Sequence, residues 1–295
     1  MIVGGGQVRC WGNNGSGQLG DGTTTQRTTP VTVSGLTGAV AVTAGAFHTC
    51  ALLADGTARC WGSNFSGQLG NGTTIDRSTP VAVSGLTGAV AITAGGAHTC
   101  AVLAGGTARC WGLNGAGRLG DGTTTNRAAP VTVSGLSGAV AVTAGASHTC
   151  AALDDGTARC WGFNFNGQLG DGTTTNRTTP VTVSGLTGAV AITAGGGHTC
   201  AALADGTARC WGFNDGGQLG DGTATNRTTP VTVSGLTGAV AITAGGAHTC
   251  ALLADGTARC WGANSSGRLG DGTTTNRAAP VTVSGLSGAV AVTAG

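Results

Sequence analysis

Short segments of small apolar residues alternate with glycine-rich polar segments, and the pattern recurs every fifty residues. In one repeat, glycine-containing turns separate four such segments, at 38–44, 48–53, 57–61 and 80–84. Val, Thr, Ile, Leu and Cys between turn residues predict β-strands, which we label A to D in chain order. Arg-Cys-Trp-Gly marks one position in every repeat, with its tryptophans at Trp11, Trp61, Trp111, Trp161, Trp211 and Trp261. A period near fifty residues is typical of propeller blades.

The turn between strands B and C sets the register of a hairpin. Ala54-Asp55-Gly56 fits a type I turn followed by a left-handed glycine, which places Leu53 opposite Thr57. Counting back along the two strands brings Cys50 opposite Cys60, at a spacing that a disulfide can bridge. The same count predicts four further disulfides: Cys100 with Cys110, Cys150 with Cys160, Cys200 with Cys210, and Cys250 with Cys260. Cys10 is left without a partner.

Two other interpretations of the cysteines stay open. A zinc site needs four converging ligands, whereas each repeat offers two thiols. Free thiols could also pack as small hydrophobic groups. Disulfides indicate an oxidising compartment, so we expect an extracellular or cell-surface protein. The N-terminus lacks the basic start and apolar core of a secretion signal, so a cytoplasmic protein or an excised piece of a longer product is the alternative.

The two ends of the chain complement each other in sequence. Residues 1–3 align with 51–53, so the first repeat has no strand A, while residues 288–294 repeat the strand A sequence. We therefore predict that residues 288–294 pair with the N-terminal blade and close an all-β propeller of six four-stranded blades. The whole chain, 1–295, would then be a single domain.

One motif resembles a known family. The run from Trp61 to Gly70, Trp-Gly-Ser-Asn-Phe-Ser-Gly-Gln-Leu-Gly, together with His-Thr-Cys-Ala-Leu and Asp-Gly-Thr, is similar to the repeat of the regulator of chromosome condensation family. The resemblance covers essentially the whole chain and implies a propeller of four-stranded blades. Family propellers commonly have seven blades, so part of a seven-bladed ring is the alternative.

The resemblance also implies candidate functions. The eukaryotic namesake exchanges nucleotide on a small GTPase and docks on chromatin, and a bacterial relative inhibits β-lactamases. A regulator like a guanine-nucleotide exchange factor and a protein inhibitor of a secreted enzyme are therefore alternatives for this chain. The basic tail and exchange wedge expected for the namesake's tasks are not visible here. Fold alone does not choose between these functions.

The composition argues against several classes of protein. Charged residues make up 9% of the chain and the net charge is only +2, which gives no basic patch for nucleic acid. No apolar stretch reaches the eighteen residues of a membrane span. The chain has no Lys, Glu or Tyr, no Gly-x-Ser-x-Gly motif and no phosphate loop. We expect a monomeric non-enzyme without cofactor, metal or catalytic residues.

Residues that recur in every repeat are interpreted as structural. We expect the tryptophans to wedge between blades with the indole N–H on a carbonyl. A motif histidine such as His48 is expected to bond to a neighbouring blade, the alternatives being a metal site or proton transfer. Asp21 suits a turn rather than a calcium site, and Arg27 is expected to tie down the loop between strands C and D.

Function is sought where the repeats differ. Two windows vary, the turn between strands A and B and the start of the loop between strands C and D, and both are expected on one face. Every phenylalanine lies in these windows, and Asp215 joins them; the candidate binding residues are Phe47, Phe65, Phe163, Phe165, Phe213 and Asp215. Exposed aromatic side chains on one face predict a scaffold that binds a protein of unknown identity. Local packing, repeat drift, and a recently amplified or engineered repeat protein without a partner are the alternatives.

Overall fold

A computed structural model describes all residues, from Met1 to Gly295, in two compact units, residues 1–144 and 145–295. The first unit contains a 3-10 turn, Gly4–Gly6, and twelve strands: β1 Ile2–Val3, β2 Gln7–Gly12, β3 Arg27–Thr32, β4 Ala39–Ala44, β5 His48–Leu53, β6 Ala58–Gly62, β7 Arg77–Ala82, β8 Ala89–Ala94, β9 His98–Leu103, β10 Ala108–Gly112, β11 Arg127–Thr132 and β12 Ala139–Ala144. The second unit contains β13 His148–Leu153, β14 Ala158–Gly162, β15 Arg177–Thr182, β16 Ala189–Ala194, β17 His198–Leu203, β18 Ala208–Gly212, β19 Arg227–Thr232, β20 Ala239–Ala244, β21 His248–Leu253, β22 Ala258–Gly262 and β23 Arg277–Thr282.

The repeating element is an antiparallel sheet of four strands that are consecutive in the chain. The first unit holds the sheets β4-β5-β6-β7 and β8-β9-β10-β11, and the second holds β16-β17-β18-β19 and β20-β21-β22-β23. The first sheet of the chain, β1-β2-β3, has three strands. The predicted all-β class and four-stranded repeat are therefore confirmed. No helix of the length and apolarity needed to cross a lipid bilayer is present.

The predicted hairpin register is also confirmed. The Leu53 N–H donates to Thr57 O at 2.9 Å, and Gly56 takes the left-handed conformation with φ +75°. The ladder then pairs Cys50 with Cys60, and the two cysteines form a disulfide. Disulfides are likewise present at the four other predicted pairs, and Cys10 is a free thiol.

Strand D begins earlier than predicted. The sequence indicated residues 80–84, whereas β7 spans Arg77–Ala82. The register shifts between Cys60 and Gly62, with the extra residues in β7, so that Gly62 pairs with Arg77 and the ladder extends before Pro80. The proline is tolerated because β7 is an edge strand, where every second residue directs its N–H away from the sheet and needs no ladder partner.

Tryptophan packing between consecutive repeats forms the core. Trp61 is fully buried among Val8, Val33, Leu36 and other apolar side chains of the preceding repeat. Its indole N–H donates to Gln18 O at 2.9 Å, which confirms the predicted wedge. Equivalent bonds join three further tryptophans to the preceding repeat: Trp111 to Gln68, Trp211 to Gln168 and Trp261 to Gln218.

The two ends of the chain differ from the repeats between them. Trp11 is 51% exposed, whereas the other five tryptophans are fully buried. Residues 289–295 form no strand, yet Val292 packs against a buried cluster that contains Cys250, Cys260 and Leu269. Pairing of residues 288–294 with the N-terminal blade, and the single domain 1–295, stay predictions.

Candidate protein-binding surface

A buried asparagine holds each loop between strands C and D in shape. The Asn164 Nδ2 group donates to Thr173 O at 3.1 Å and to Thr175 O at 3.0 Å, while its Oδ1 accepts from Leu169 N at 2.9 Å. Three segments of one loop are thereby joined through a single side chain. Five other repeats use the equivalent residue in the same way, with Leu N–H as one partner: Asn14, Asn64, Asn114, Asn214 and Asn264.

An ion pair fixes the far part of the same loop. Asp171 Oδ2 lies 2.8 Å from the Arg177 guanidinium, and Thr173 donates to Asp171 Oδ1. Partial burial opposes ionisation of Asp171, but the bonds from Thr173 and Arg177 outweigh it and lower the pKa of this carboxyl. The predicted roles of the recurring aspartate and arginine are confirmed here. In the second repeat, Asn71 replaces the aspartate and accepts from Thr73 instead.

Two aromatic rings project from the loop that Asn164 holds. The Phe163 and Phe165 rings have centroids 4.8 Å apart and planes inclined at 46°. Phe165 is 68% exposed, and Phe163 is half-buried. The Phe163 N–H donates to Ser147 O at 3.0 Å, so the two variable windows of this repeat lie side by side. The pair is an exposed apolar group on a well-ordered loop.

The next repeat continues this surface within the second unit. The Phe213 N–H donates to Gly197 O at 2.9 Å. A methyl group on Gly197 would lie 3.3 Å from Phe213 Cβ and 3.7 Å from Asn166 Nδ2, so the absence of a side chain lets the two loops approach. Phe213 is half-buried and Asp215 is exposed. Phe163, Phe165, Phe213 and Asp215 therefore lie on adjacent loops of one unit.

Two further phenylalanines lie together in the first unit. Phe47 is 53% exposed and Phe65 is 66% exposed. The Phe47 carbonyl accepts from the Ser63 N–H at 2.8 Å, which joins the two variable windows as in the second unit. We call the loops that carry the five phenylalanines and Asp215 the aromatic loops. A common face for all five rings stays a prediction.

The family assignment follows from the repeat itself. A family model described as "Regulator of chromosome condensation (RCC1) repeat" matches nearly the whole chain, at residues 5–52, 55–102, 106–152, 155–202, 205–252 and 255–295. The chain belongs to the RCC1 repeat family. A second RCC1 repeat model matches five segments, residues 39–68, 89–118, 139–168, 189–218 and 239–268.

Solved structures of RCC1-type proteins share the fold. Yeast RCC1 (Prp20) bound to Kap60 is 22% identical, with a TM-score of 0.85, over 98% of this chain and 74% of that one. Human WBSCR16 is 23% identical, with a TM-score of 0.87, and the match covers 98% of this chain and 79% of that one. Prp20p from Saccharomyces cerevisiae is 19% identical, with a TM-score of 0.67, and the match covers 94% of this chain and 85% of that one. These likenesses show a β-propeller fold. No curated protein matches the chain.

The recurring histidines of the RCC1 repeats serve the contacts between repeats. His48 is buried, and its Nε2 lies 2.9 Å from Thr99 Oγ1 in the next repeat, as predicted. The Thr99 hydroxyl donates its proton to Gln68 O, so the histidine must donate to the threonine. Burial lowers the pKa of His48 to about 4. Neutral His48 is therefore part of the packing and not a free surface base.

Sequence reasoning missed one feature of the RCC1 repeats. The asparagine of Trp-Gly-x-Asn received no role, although its recurrence in all six repeats was a usable signal. A cavity beside Cys10 and Trp11 lies where the sequence had already left Cys10 without a partner.

Proposed function

We propose that this propeller is a non-enzymatic scaffold that binds a protein through its aromatic loops. The observation that carries the proposal is the exposure of Phe165, at 68%, on a loop fixed by the buried Asn164. Aromatic side chains, phenylalanine among them, are enriched in protein interfaces relative to the rest of the surface. A loop that is already ordered loses little conformational entropy when it binds.

The second unit offers the more developed candidate surface. Phe163 and Phe165 form a joined apolar group, Phe213 lies on the neighbouring loop, and Asp215 adds a negative charge at the edge. A centre of aromatic residues with a polar rim is the usual anatomy of a protein interface. We expect Phe163 and Phe165 to be the principal anchors.

The comparisons support a protein partner rather than another ligand class. Yeast RCC1 (Prp20) has been solved bound to Kap60, and the study of Prp20p describes its binding to Gsp1p and histones. For this chain the partner's identity is unknown. A net charge of +2 offers no counterpart to nucleic acid, and we propose that the protein acts as a monomer without a membrane or nucleic-acid partner.

The disulfides support a site of action outside the reducing cytosol. Five of the six repeats close a hairpin with a disulfide, which is typical of proteins in an oxidising environment. We propose an extracellular or cell-surface location, where the partner would also be found.

Quantitative capture from secreted and cell-surface proteins tests this function. The intact protein is immobilised beside a variant in which all five phenylalanines are changed to serine, and a Val290→Ser variant serves as a control at an exposed site outside the loops. We expect a protein that wild type and Val290→Ser retain and the five-fold variant loses. Equal capture by all three forms would contradict the proposal.

A further inference from the structure

The loop between strands C and D of the second repeat, residues 63–77, differs from the other five in the position of its acidic residue. Each of the other loops contains an ion pair at 2.8 to 2.9 Å: Asp21 with Arg27, Asp121 with Arg127, Asp171 with Arg177, Asp221 with Arg227, and Asp271 with Arg277. The second repeat has Asn71 in place of the aspartate, and Asp76 where four other repeats have asparagine. The acid is thus moved by five positions, while the arginine, Arg77, is kept.

Both exchanged residues keep the hydrogen bonds that shape the loop. Asn71 Oδ1 accepts from the Thr73 hydroxyl at 2.9 Å, as the aspartate Oδ1 does in the fourth repeat. Asp76 Oδ1 accepts from the Asn64 N–H at 2.7 Å, as the asparagine Oδ1 does there. The second-repeat loop therefore keeps these contacts, and the position of its negative charge is what changes.

Arg77 has no carboxylate partner as a result. An amide nitrogen donates hydrogen bonds and cannot accept one from a guanidinium, so Asn71 does not replace the second carboxylate oxygen. Arg77 forms no ion pair, either with Asp76 or with another acid, and its side chain makes no hydrogen bond. It is also exposed, whereas the five paired arginines are half-buried. The second repeat thus presents a free guanidinium to solvent.

Exposed apolar side chains lie on the same loop. Ile75 is 61% exposed and takes the place of a threonine that the other five repeats share. Its carbonyl accepts from Asn64 Nδ2 at 3.2 Å, and Phe65, the residue after Asn64, is 66% exposed. Ile75 and Arg77 are two residues apart, so their Cα atoms lie within about 7 Å of each other. A free cation and two apolar side chains therefore share one ordered loop.

We propose that the second-repeat loop binds an acidic segment of the partner protein, with a carboxylate on Arg77 and an apolar side chain beside it on Ile75 and Phe65. The inference rests on the proposed function and names the chemistry of the partner at this loop. Arginine is enriched with aromatic residues at the centres of protein interfaces, and a carboxylate is the group that its planar guanidinium binds best.

Charge complementarity selects a single carboxylate as the occupant. In the fourth repeat, Asp171 Oδ2 accepts from two nitrogens of Arg177, Nε and Nη2, at 2.8 Å each. The partner's carboxylate would make the same two bonds to Arg77. Asp76 places a negative charge next to Arg77 in the chain, which opposes a polyanion such as nucleic acid. An isolated acidic residue in an apolar segment therefore fits the loop.

Two matched peptides test the site in the intact protein. N-acetyl-Leu-Glu-Leu-amide and its glutamine counterpart are titrated into the ¹⁵N-labelled protein at about pH 6, where glutamate is ionised, with inorganic phosphate as a third probe. NMR follows the Arg77 Nε–H signal, which is identified by its loss in Arg77→Lys. We expect the glutamate peptide to shift this signal and to bind about threefold or more tightly than the glutamine peptide, as an exposed ion pair allows. Equal affinities, no shift with either peptide, or an equal shift by phosphate at the same concentration would overturn the proposal.

An exchange of two residues provides the matched variant. Asn71→Asp combined with Asp76→Asn gives the loop the charge order of the other repeats, with composition and net charge unchanged. Arg77 then regains an internal carboxylate, so we expect the preference for the glutamate peptide to disappear while the urea midpoint stays at or above that of wild type. A preference that survives the exchange would overturn the proposal. Ile75→Thr should weaken both peptides to a similar extent, and unchanged affinities would overturn the apolar contact.

The same exchange variant separates this inference from the proposed function. It is added to the capture experiment beside wild type and the variant that lacks all five phenylalanines. If the phenylalanine variant loses the captured protein and the exchange variant binds it as wild type does, the proposed function stands and this inference fails. If the phenylalanine variant retains the protein, the proposed function fails, whereas the peptide titration still reports on Arg77.

Discussion

His48 Nε2 and Thr99 Oγ1 lie 2.9 Å apart across the boundary between two repeats. The same hydroxyl donates to Gln68 O, so one threonine joins a histidine and a main-chain carbonyl. All three groups are buried, and loss of the hydroxyl would leave the His48 N–H without an acceptor and the Gln68 carbonyl with only the bond from Trp111. The contact therefore couples the stability of one repeat to the next.

Thr99→Val removes this link without changing the size of the side chain. We expect the free energy of unfolding to fall by about 1 to 3 kcal/mol, because the buried His48 N–H loses its acceptor while the Gln68 carbonyl keeps its bond from Trp111. Urea denaturation measures the loss. Thr99→Ser keeps the hydroxyl and is expected to lose about 1 kcal/mol or less. Equal losses in the two variants would show that the hydrogen bonds do not contribute.

Acid is expected to destabilise the protein before its aspartates titrate. The unfolded chain protonates histidine near pH 6.5, whereas burial lowers the pKa of folded His48 to about 4. Since the unfolded state binds more protons between these values, stability is complete above pH 6.5 and falls as the pH drops towards 4. Each such histidine contributes a slope of about 1.4 kcal/mol per pH unit. Urea midpoints measured across this range check the slope.

His48→Gln provides the matched control. Glutamine retains an N–H donor for Thr99 but does not titrate, so the slope of stability against pH should decrease by the contribution of one histidine.

The aspartates affect stability at lower pH than the histidines. Partial burial opposes ionisation of Asp21, but bonds from Thr23 and Arg27 outweigh it and lower its pKa to about 2. Its contribution is present above pH 3.8 and is lost as the pH falls towards 2. For the histidines, a free energy of unfolding that does not change between pH 6.5 and 4 would contradict their burial in the neutral form.

The cysteine pairing predicts a definite mass. With five disulfides and Cys10 free, the protein should weigh about 10 Da less than its fully reduced form. Alkylation of the unfolded protein without reductant should modify one thiol, at Cys10. Cys10→Ser should then show no alkylation. Modification of eleven thiols would rule out both the disulfides and the proposed oxidising location.

Two valines of the C-terminal segment, Val290 and Val292, differ in burial and can be compared directly. Val292 packs on the cluster that contains Cys250 and Cys260, whereas Val290 is 93% exposed. Val292→Ser should therefore cost about 1 kcal/mol of stability and Val290→Ser almost nothing. Deletion of residues 286–295 should lower the melting temperature further, as the predicted closure requires. An unchanged melting temperature after the deletion would contradict that closure.

Local rules made the hairpins predictable from sequence. Asp55-Gly56 defines a turn, the turn defines the register, and the register brings Cys50 to Cys60. Strand D was misplaced because its start depends on the register shift between Cys60 and Gly62, which local propensity does not encode.

The aromatic loops were located in sequence by their variation, but their accessibility required the structure. Phe163 and Phe213 occupy the same position of two repeats, and both are half-buried, while Phe165 is exposed. Which ring faces solvent depends on the fold of the loop around Asn164, and a pattern of residue types does not encode it. Substitution of Phe165 is therefore more informative about binding than substitution of Phe163 or Phe213, because it disturbs the packing of the loop less.

Paired measurements on Phe165→Ala test the central claim most directly. Binding of the captured partner and urea unfolding are measured on the same preparation, with Val290→Ser as the exposed control. We predict a loss of about 2 kcal/mol in binding and little change in the free energy of unfolding, because an exposed ring contributes little to the core. Unchanged binding, or a loss of about 3 to 5 kcal/mol in stability as expected for a buried aromatic residue, would contradict the account.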